Sequence, residues 1–331
     1  MARCRLVSSE AAAIAPLAHI YLGGPQALWQ AKRVRGDEAL ITQLWRRQSI
    51  WSQTANRMKA SIDRARSAGL MLTIGSAVLA TLATQLLDRQ RTVTAVLAIT
   101  AAFFVGLVPV LRPRYSGRAL RDWTRARSVS EALKSEVYLY LAEADEYRSN
   151  DRDRRLKVRT DKAQQEVQDL LQHTVDLEPV QRPLPDVRDY SSYLSVRVDG
   201  QVDGYYRPRA RQLRTRLRQF RRVELLLAVI GVVLGALAAT FAQWGLSAWI
   251  AVVTTISGAV AAHVGAARYE YQLIEYLRTA DELNRLRHDA AAAMSRAEID
   301  QLIVQCERII SIQNEGWMAK LSTVPEEQSK I

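Results

Sequence analysis

The chain has 331 residues, 48% hydrophobic and 24% charged, with 46 Lys+Arg against 34 Asp+Glu, a formal net charge of +12 and a pI near 9.9. Two cysteines, Cys4 and Cys306, are too few for a disulfide framework. The histidines His19, His173, His263 and His288 are scattered, so no metal site follows either. The positive charge falls in clusters that flank long charge-free runs, an arrangement that argues against an ordinary soluble domain.

Residues 1–36 read as a flexible N-terminal segment. Within it, the two arginines and apolar patch of residues 1–24 faintly resemble a signal peptide, but Glu10 interrupts the patch and no small-residue cleavage site follows. A first unit, residues 37–178, opens with a basic amphipathic helix carrying Gln48 and Trp51. Two charge-free runs come next, at about 67–87 and 92–111, each close to the roughly 20 residues that cross a bilayer and separated only by the short DRQR segment. Pro109 and Pro113 predict a kink where the second run ends, ahead of a patterned helix over 117–147.

Residues 179–185 are proline-rich and read as a linker. The second unit, 186–321, repeats the plan: a lead-in with Gln201 and Tyr205-Tyr206, spans at about 225–242 and 246–267, and a helical lead-out, before a polar tail at 322–331. The turn at Gln243-Trp244-Gly245 supplies a polar amide, an interfacial indole and a glycine. Beyond the fourth span, Tyr269, Leu273, Tyr276, Leu277, Ala280, Leu283 and Leu286 recur at three- and four-residue spacings. That seam is expected to continue the span as one unbroken helix and to pack on residues 297–321 or on a neighbouring subunit. The expected architecture is therefore an all-α membrane protein, two transmembrane helical hairpins with long cytoplasmic helices forming a helical body.

Basic clusters precede the first span, follow the second and precede the third. Because Lys and Arg are retained on the cytoplasmic side, they predict a multi-pass protein with both termini cytoplasmic. Arg207, Arg209, Arg211, Arg214, Arg216, Arg218, Arg221 and Arg222 are candidate contacts for anionic lipid. Nucleic acid is the weaker partner for such a run beside membrane spans. Gly231, Gly235, Ala238 and Ala242 in the third span, with Thr254, Ser257, Ala261 and Gly265 in the fourth, form small-residue stripes suited to helix packing. Thr73, Ser76 and Thr84 share an arc of the first span and are candidate pore-lining residues, although such hydroxyls also bond to their own helix. No charged residue lies at mid-span, which weakens an ion-coupled transporter. His263 lies near the end of the fourth span and reads as an interfacial histidine before a titrating gate. No phosphate loop, zinc motif or catalytic cluster occurs, so neither enzyme activity nor a cofactor is expected.

The second unit, from YLSVRVDGQVDGYYRPRA through RYEYQLIEYLRTADELNRL to VQCERIISIQNEGWMAKL, resembles the SLATT domains, two-transmembrane modules of bacterial conflict systems. The first unit resembles a sister subgroup through Trp51 and DWTRARSVSEALKSEVYLYLAEADEY. The resemblance implies a homo-oligomeric effector of the bacterial inner (plasma) membrane, which forms or gates a pore in antiphage defence when a separate nucleotide-signalling or sensor partner triggers it. A membrane-anchored scaffold that recruits cytoplasmic partners through its helices is the alternative.

Overall fold

A computed structural model describes residues 25–88, 90–289 and 295–322, with side chains omitted at 25–38, 145, 242, 289 and 312–322. Residues 1–24, most of the segment read as flexible, and the polar tail beyond 322 lie outside the described residues. The described residues are overwhelmingly helical and contain no strand. The chain divides after Leu40, and the packing described below concerns the unit from Ile41 onward.

Helix α1 covers Pro25–Leu86 and turns within a few residues into α2, Arg91–Leu111. Proline lacks the amide that would continue the ladder, and α2 stops two residues after Pro109. A 3-10 turn over Arg112–Tyr115 carries Pro113, and Ser116 then caps α3, Gly117–Leu141, by accepting from the Ala119 amide. The predicted kink is thus a complete change of helix. Helix α4 spans Arg152–Gln165 and is followed by a 3-10 turn at Gln168–His173.

The proline-rich segment is pinned to α1 along its length. The Trp45 indole donates to Pro183 O at 3.0 Å, Gln53 to Glu178 O at 2.8 Å, and the Val180 amide to Ser49 Oγ at 3.0 Å. Arg182 bonds to Gln48 and lies 3.8 Å above the Trp45 ring. Proline supplies the reason: backbone that cannot donate to a ladder presents its carbonyls to side chains instead.

Helix α5, Tyr190–Tyr193, begins with a reciprocal capping box between Asp189 and Ser192. The chain then widens into π-helical turns at Leu194–Asp199 and Val202–Tyr206 before tightening into α6, Arg207–Thr240. Val198, Val202, Tyr206 and Ala210 are all buried. Spaced by four, they would drift around an ordinary 3.6-residue helix by about 40° per step, and the wider turn keeps them on the core.

Gly245, at φ 63°, closes the second hairpin, and α7 runs from Ser247 to Ala267. The expected unbroken exit from the fourth span is not found. Arg268 takes a left-handed conformation, φ 48° and ψ 39°, and separates α7 from α8, Tyr269–Asp289. Its amide still reaches Val264 O and Gly265 O, so a one-residue bend redirects the helix at little cost in hydrogen bonds. The inner face of α8, with Ala280 and Leu283 buried and half-buried Tyr276 against Tyr206, packs chiefly against α6. Helix α9, Arg296–Ser322, packs more extensively on α3 of the first unit than on α8. The two sequence units therefore share one packed body.

The hairpin tips also meet. Gln85 Nε2 donates to Gly245 O at 2.9 Å, and a Cβ on Gly245 would lie 3.0 Å from that amide. Gly245→Val combines left-handed strain with this crowding and is expected to cost about 1–3 kcal/mol. Denaturant unfolding in detergent micelles checks this; an unchanged midpoint contradicts it.

Candidate functional site

The membrane-spanning section and the helical body have opposite surfaces. Four helices are long and apolar enough to cross a membrane, yet within their most apolar windows only 17%, 11%, 0% and 17% of residues are buried. Val96, Ile99 and Phe103 of α2 and Leu225, Leu226 and Val232 of α6 stand exposed. In water so much bare apolar surface would drive association, whereas in hydrocarbon it is the required solvent face.

The small-residue stripes divide between two faces. Gly231 lies against α7, where a Cβ would meet Val253 at 3.7 Å, and Gly235 and Ala238 share its half-buried face. Ala242 lies just beyond α6, in the 3-10 turn Ala242–Trp244. In α7, Val253 meets Gly231 of α6, and Val252 and Val260 are buried. Thr254, Ala261 and Gly265 are exposed, and Ser257 is half-buried. Between α1 and α2 a further close approach occurs at Gly75, whose Cβ would lie 3.1 Å from the Phe104 ring.

The hydroxyl candidates do not share one surface. Thr73 lines a groove between α1 and α7 together with His263, whereas Ser76 and Thr84 line a groove between α1 and α2. Each bonds to its own helix: Thr73 to Gly69 O at 2.9 Å, Ser76 to Thr73 O at 2.9 Å, Thr84 to Thr81 O at 2.7 Å. These bonds settle the polar group without needing water. His263 lies 5.8 Å from the Phe220 ring, with its Nδ1 buried and unbonded among the described residues.

All eight arginines of the run that leads into the third span are exposed on α6: Arg207, Arg209, Arg211, Arg214, Arg216, Arg218, Arg221 and Arg222. Arg207 pairs with Asp203 at 2.6 Å and Arg221 with Glu270 at 3.4 Å. Solvent-exposed pairs of this kind contribute little to stability and leave the charge available to a membrane surface.

Where the two units join, the body holds a buried charge cluster that sequence reading did not single out. Arg197, on the first π-helical turn, is 1% exposed and grips Glu307 of α9, itself 3% exposed, through two bonds of 2.8 and 2.7 Å. Tyr193 donates to the same carboxylate at 3.1 Å, and the Tyr138 ring of α3 lies 4.6 Å from the guanidinium carbon. Beside them Glu131 pairs with Arg127 at 2.7 Å. Gln201, with its amide oxygen turned inward, accepts from Arg197 at 2.9 Å and from Lys134 at 3.1 Å.

Arg127, Lys134 and Arg197 thus face only Glu131 and Glu307, and the surplus appears on the one cation able to release a proton. Burial, reinforced by Arg197, lowers the Lys134 ammonium to about 8. Burial also drives the Glu131 carboxyl upward, but Arg127, Lys134 and Arg197 outweigh it and hold the group below its ordinary value. The neighbouring Cys306 thiol is pushed up to about 12 by burial, with Glu307 adding to the effect, so it is a packed apolar group and no nucleophile. Among the described residues no cluster of His, Cys, Asp and Glu could hold a metal ion.

Removing one partner of a buried pair strands the other charge. Glu307→Gln is expected to cost about 3–5 kcal/mol, while Arg197→Met with Glu307→Leu recovers most of that loss. Equal destabilisation by the single and double variants in chemical unfolding would contradict the pairing. A pH effect follows from Lys134. Its folded value, about 8, lies below its ordinary 10.5, so the unfolded chain binds the extra proton between them and stability rises with pH there. Cys306 opposes this above its ordinary 9.0, because its thiol keeps its proton longer in the folded chain. The rise at about pH 8–9 is therefore set chiefly by Lys134, and Lys134→Met should flatten it, leaving the part due to Lys59, whose ammonium burial also lowers; a Tm with the same pH slope in both proteins would contradict this.

Comparison with known families assigns the two units separately. Residues 193–317 match the family described as SMODS and SLOG-associating 2TM effector domain 1, a SLATT domain. Residues 49–155 match a protein family of unknown function designated DUF4231. No curated protein and no solved structure matches the chain. The SLATT match contains the π-helical turns from Tyr193, the third and fourth spans and Glu307, and the DUF4231 match contains the opening hairpin and α3.

Proposed function

We propose that this multi-pass membrane protein, which carries a SLATT effector domain, acts by assembling copies of itself in the bacterial inner membrane and opening a pore when its helical body is triggered. The observation that carries the reading is the exposure of the spans: the most apolar window of the third span has no buried residue within one chain. Lipid alone can cover such a surface, but α7 also presents Thr254, Ala261 and Gly265 outward, where backbones of neighbouring copies could approach closely. Thr254 already bonds to Ile250 O at 2.9 Å, so this face carries no unsatisfied hydroxyl to hydrocarbon.

The exposed arginines of α6 support an orientation with the body in the cytoplasm, since retention of Lys and Arg on that side sets topology. The trigger acts on that body, and a separate sensor or nucleotide-signalling partner is the class that fits an effector domain of this family. The proposed action needs no catalytic residue or cofactor.

Inducible expression in bacterial cells carrying a potential-sensitive dye tests the reading. Depolarisation is expected from the wild type once the cells are triggered by phage challenge, and Ala261→Leu, which thickens the exposed α7 face, should abolish it at equal membrane abundance. An unchanged potential in triggered cells with the protein verified in the membrane contradicts pore opening and favours a scaffold that recruits partners through its helices.

A further inference from the structure

At the foot of the spans lies a cavity of about 350 Å³, within the size range of small-ligand sites. Its walls come from α1, α3, the second π-helical turn, α6, the end of α7 and α8, so both family-matched regions contribute. Five cations line it, Lys59, Arg66, Arg127, Arg209 and Arg216, against one carboxylate, Asp63.

Two of these charges are already matched. Lys59 pairs with Asp63 at 2.9 Å, and Arg127 with Glu131 at 2.7 Å. Arg66, Arg209 and Arg216 have no carboxylate within ion-pair distance among the described residues; Arg209 reaches the Gln212 amide oxygen, at 3.1 Å, and lies 5.9 Å from the Tyr205 ring centre. Lys59 feels the like charges of Arg66 and Arg216, so both guanidiniums stand close enough to the ammonium to disfavour its charge. A concave site with this surplus attracts an oxyanion strongly.

We propose that the cavity binds a phosphate group, presented either by a soluble phosphorylated molecule or by the headgroup of an anionic lipid. Guanidinium forks match phosphate oxygens in pairs, and three unneutralised forks suit a multiply charged phosphate better than a lone carboxylate. The remaining wall is aromatic: Lys59 Nζ lies 4.9 Å from the Trp123 ring centre, and Tyr205 and Tyr276 meet edge to face at 5.8 Å. These rings give the organic part of the ligand an apolar surface beside the charge. A bound phosphate would draw α1 of the first unit and α6 of the second toward one point. The site is independent of whether the spans conduct.

The test uses purified full-length protein in neutral detergent, titrated calorimetrically with inorganic tripolyphosphate, alongside mass spectrometry of retained phosphatidylglycerol. The variant Arg66→Gln with Arg216→Gln removes two unpartnered charges; Arg154→Gln with Lys157→Gln removes two exposed cations of α4, outside the cavity. Saturable tripolyphosphate binding that weakens about tenfold or more in the first variant and stays within about twofold in the second supports the site and a soluble source. Retained phosphatidylglycerol lost only in the first variant, with no tripolyphosphate response, supports the same site with a lipid source. No saturable binding from either source, or equal losses in both variants, overturns the proposal. Circular dichroism confirms folding, and Arg209→Gln alone replaces the first variant if that one misfolds.

Discussion

The Arg197–Glu307 pair is the constraint on which the rest of the arrangement depends. A guanidinium and a carboxylate withdrawn this far from water are tolerated only when each is fully bonded, and the bonds come from several directions: α5 through Tyr193, α3 through the Tyr138 ring, and the junction between the two π-helical turns through Gln201. The pair fixes where α9 sits, and α9 in turn packs along α3. Edge-to-face contacts continue outward from Tyr193 to Tyr138 and on to Trp45 of α1, each at 6.4 Å between ring centres. The body therefore connects both hairpins through polar and aromatic contacts, while the spans above it keep most of their apolar surface for lipid.

This division suits a protein whose spans must rearrange. Helices in hydrocarbon gain little from apolar burial and associate through close packing, so their contacts can exchange at modest cost. A body held by a dense buried network changes shape less readily. Motion would then enter at the joints: the left-handed residue Arg268 between α7 and α8, and the proline-bearing turn at Arg112–Tyr115 between α2 and α3.

The membrane architecture was legible because charge-free length is a one-dimensional signal. The four spans, the glycine turn at Gly245 and the break after Pro109 could all be read directly from residue types. Other features needed three dimensions. Arg268 is neither glycine nor proline, so nothing local announced the break after Ala267. Arg197 and Glu307 lie 110 residues apart, and each looks like one more charge on a helical face. The signal was present in the spacing: Glu307 falls between Ile303 and Ile310 on the apolar stripe of α9, where a carboxylate requires a partner. The linker reading missed its docking on α1 because carbonyl acceptors have no residue signature. The hydroxyls of Thr73, Ser76 and Thr84 shared an arc on paper, but the neighbouring helices divide that arc between two grooves.

Hydrogen exchange read by mass spectrometry, on the full-length protein in lipid nanodiscs, tests most directly whether the two units form one body. Amides of α3 and α9 should exchange slowly and with a common rate, and Glu307→Gln should accelerate both together. Acceleration confined to α9, with α3 as protected as before, would contradict the account.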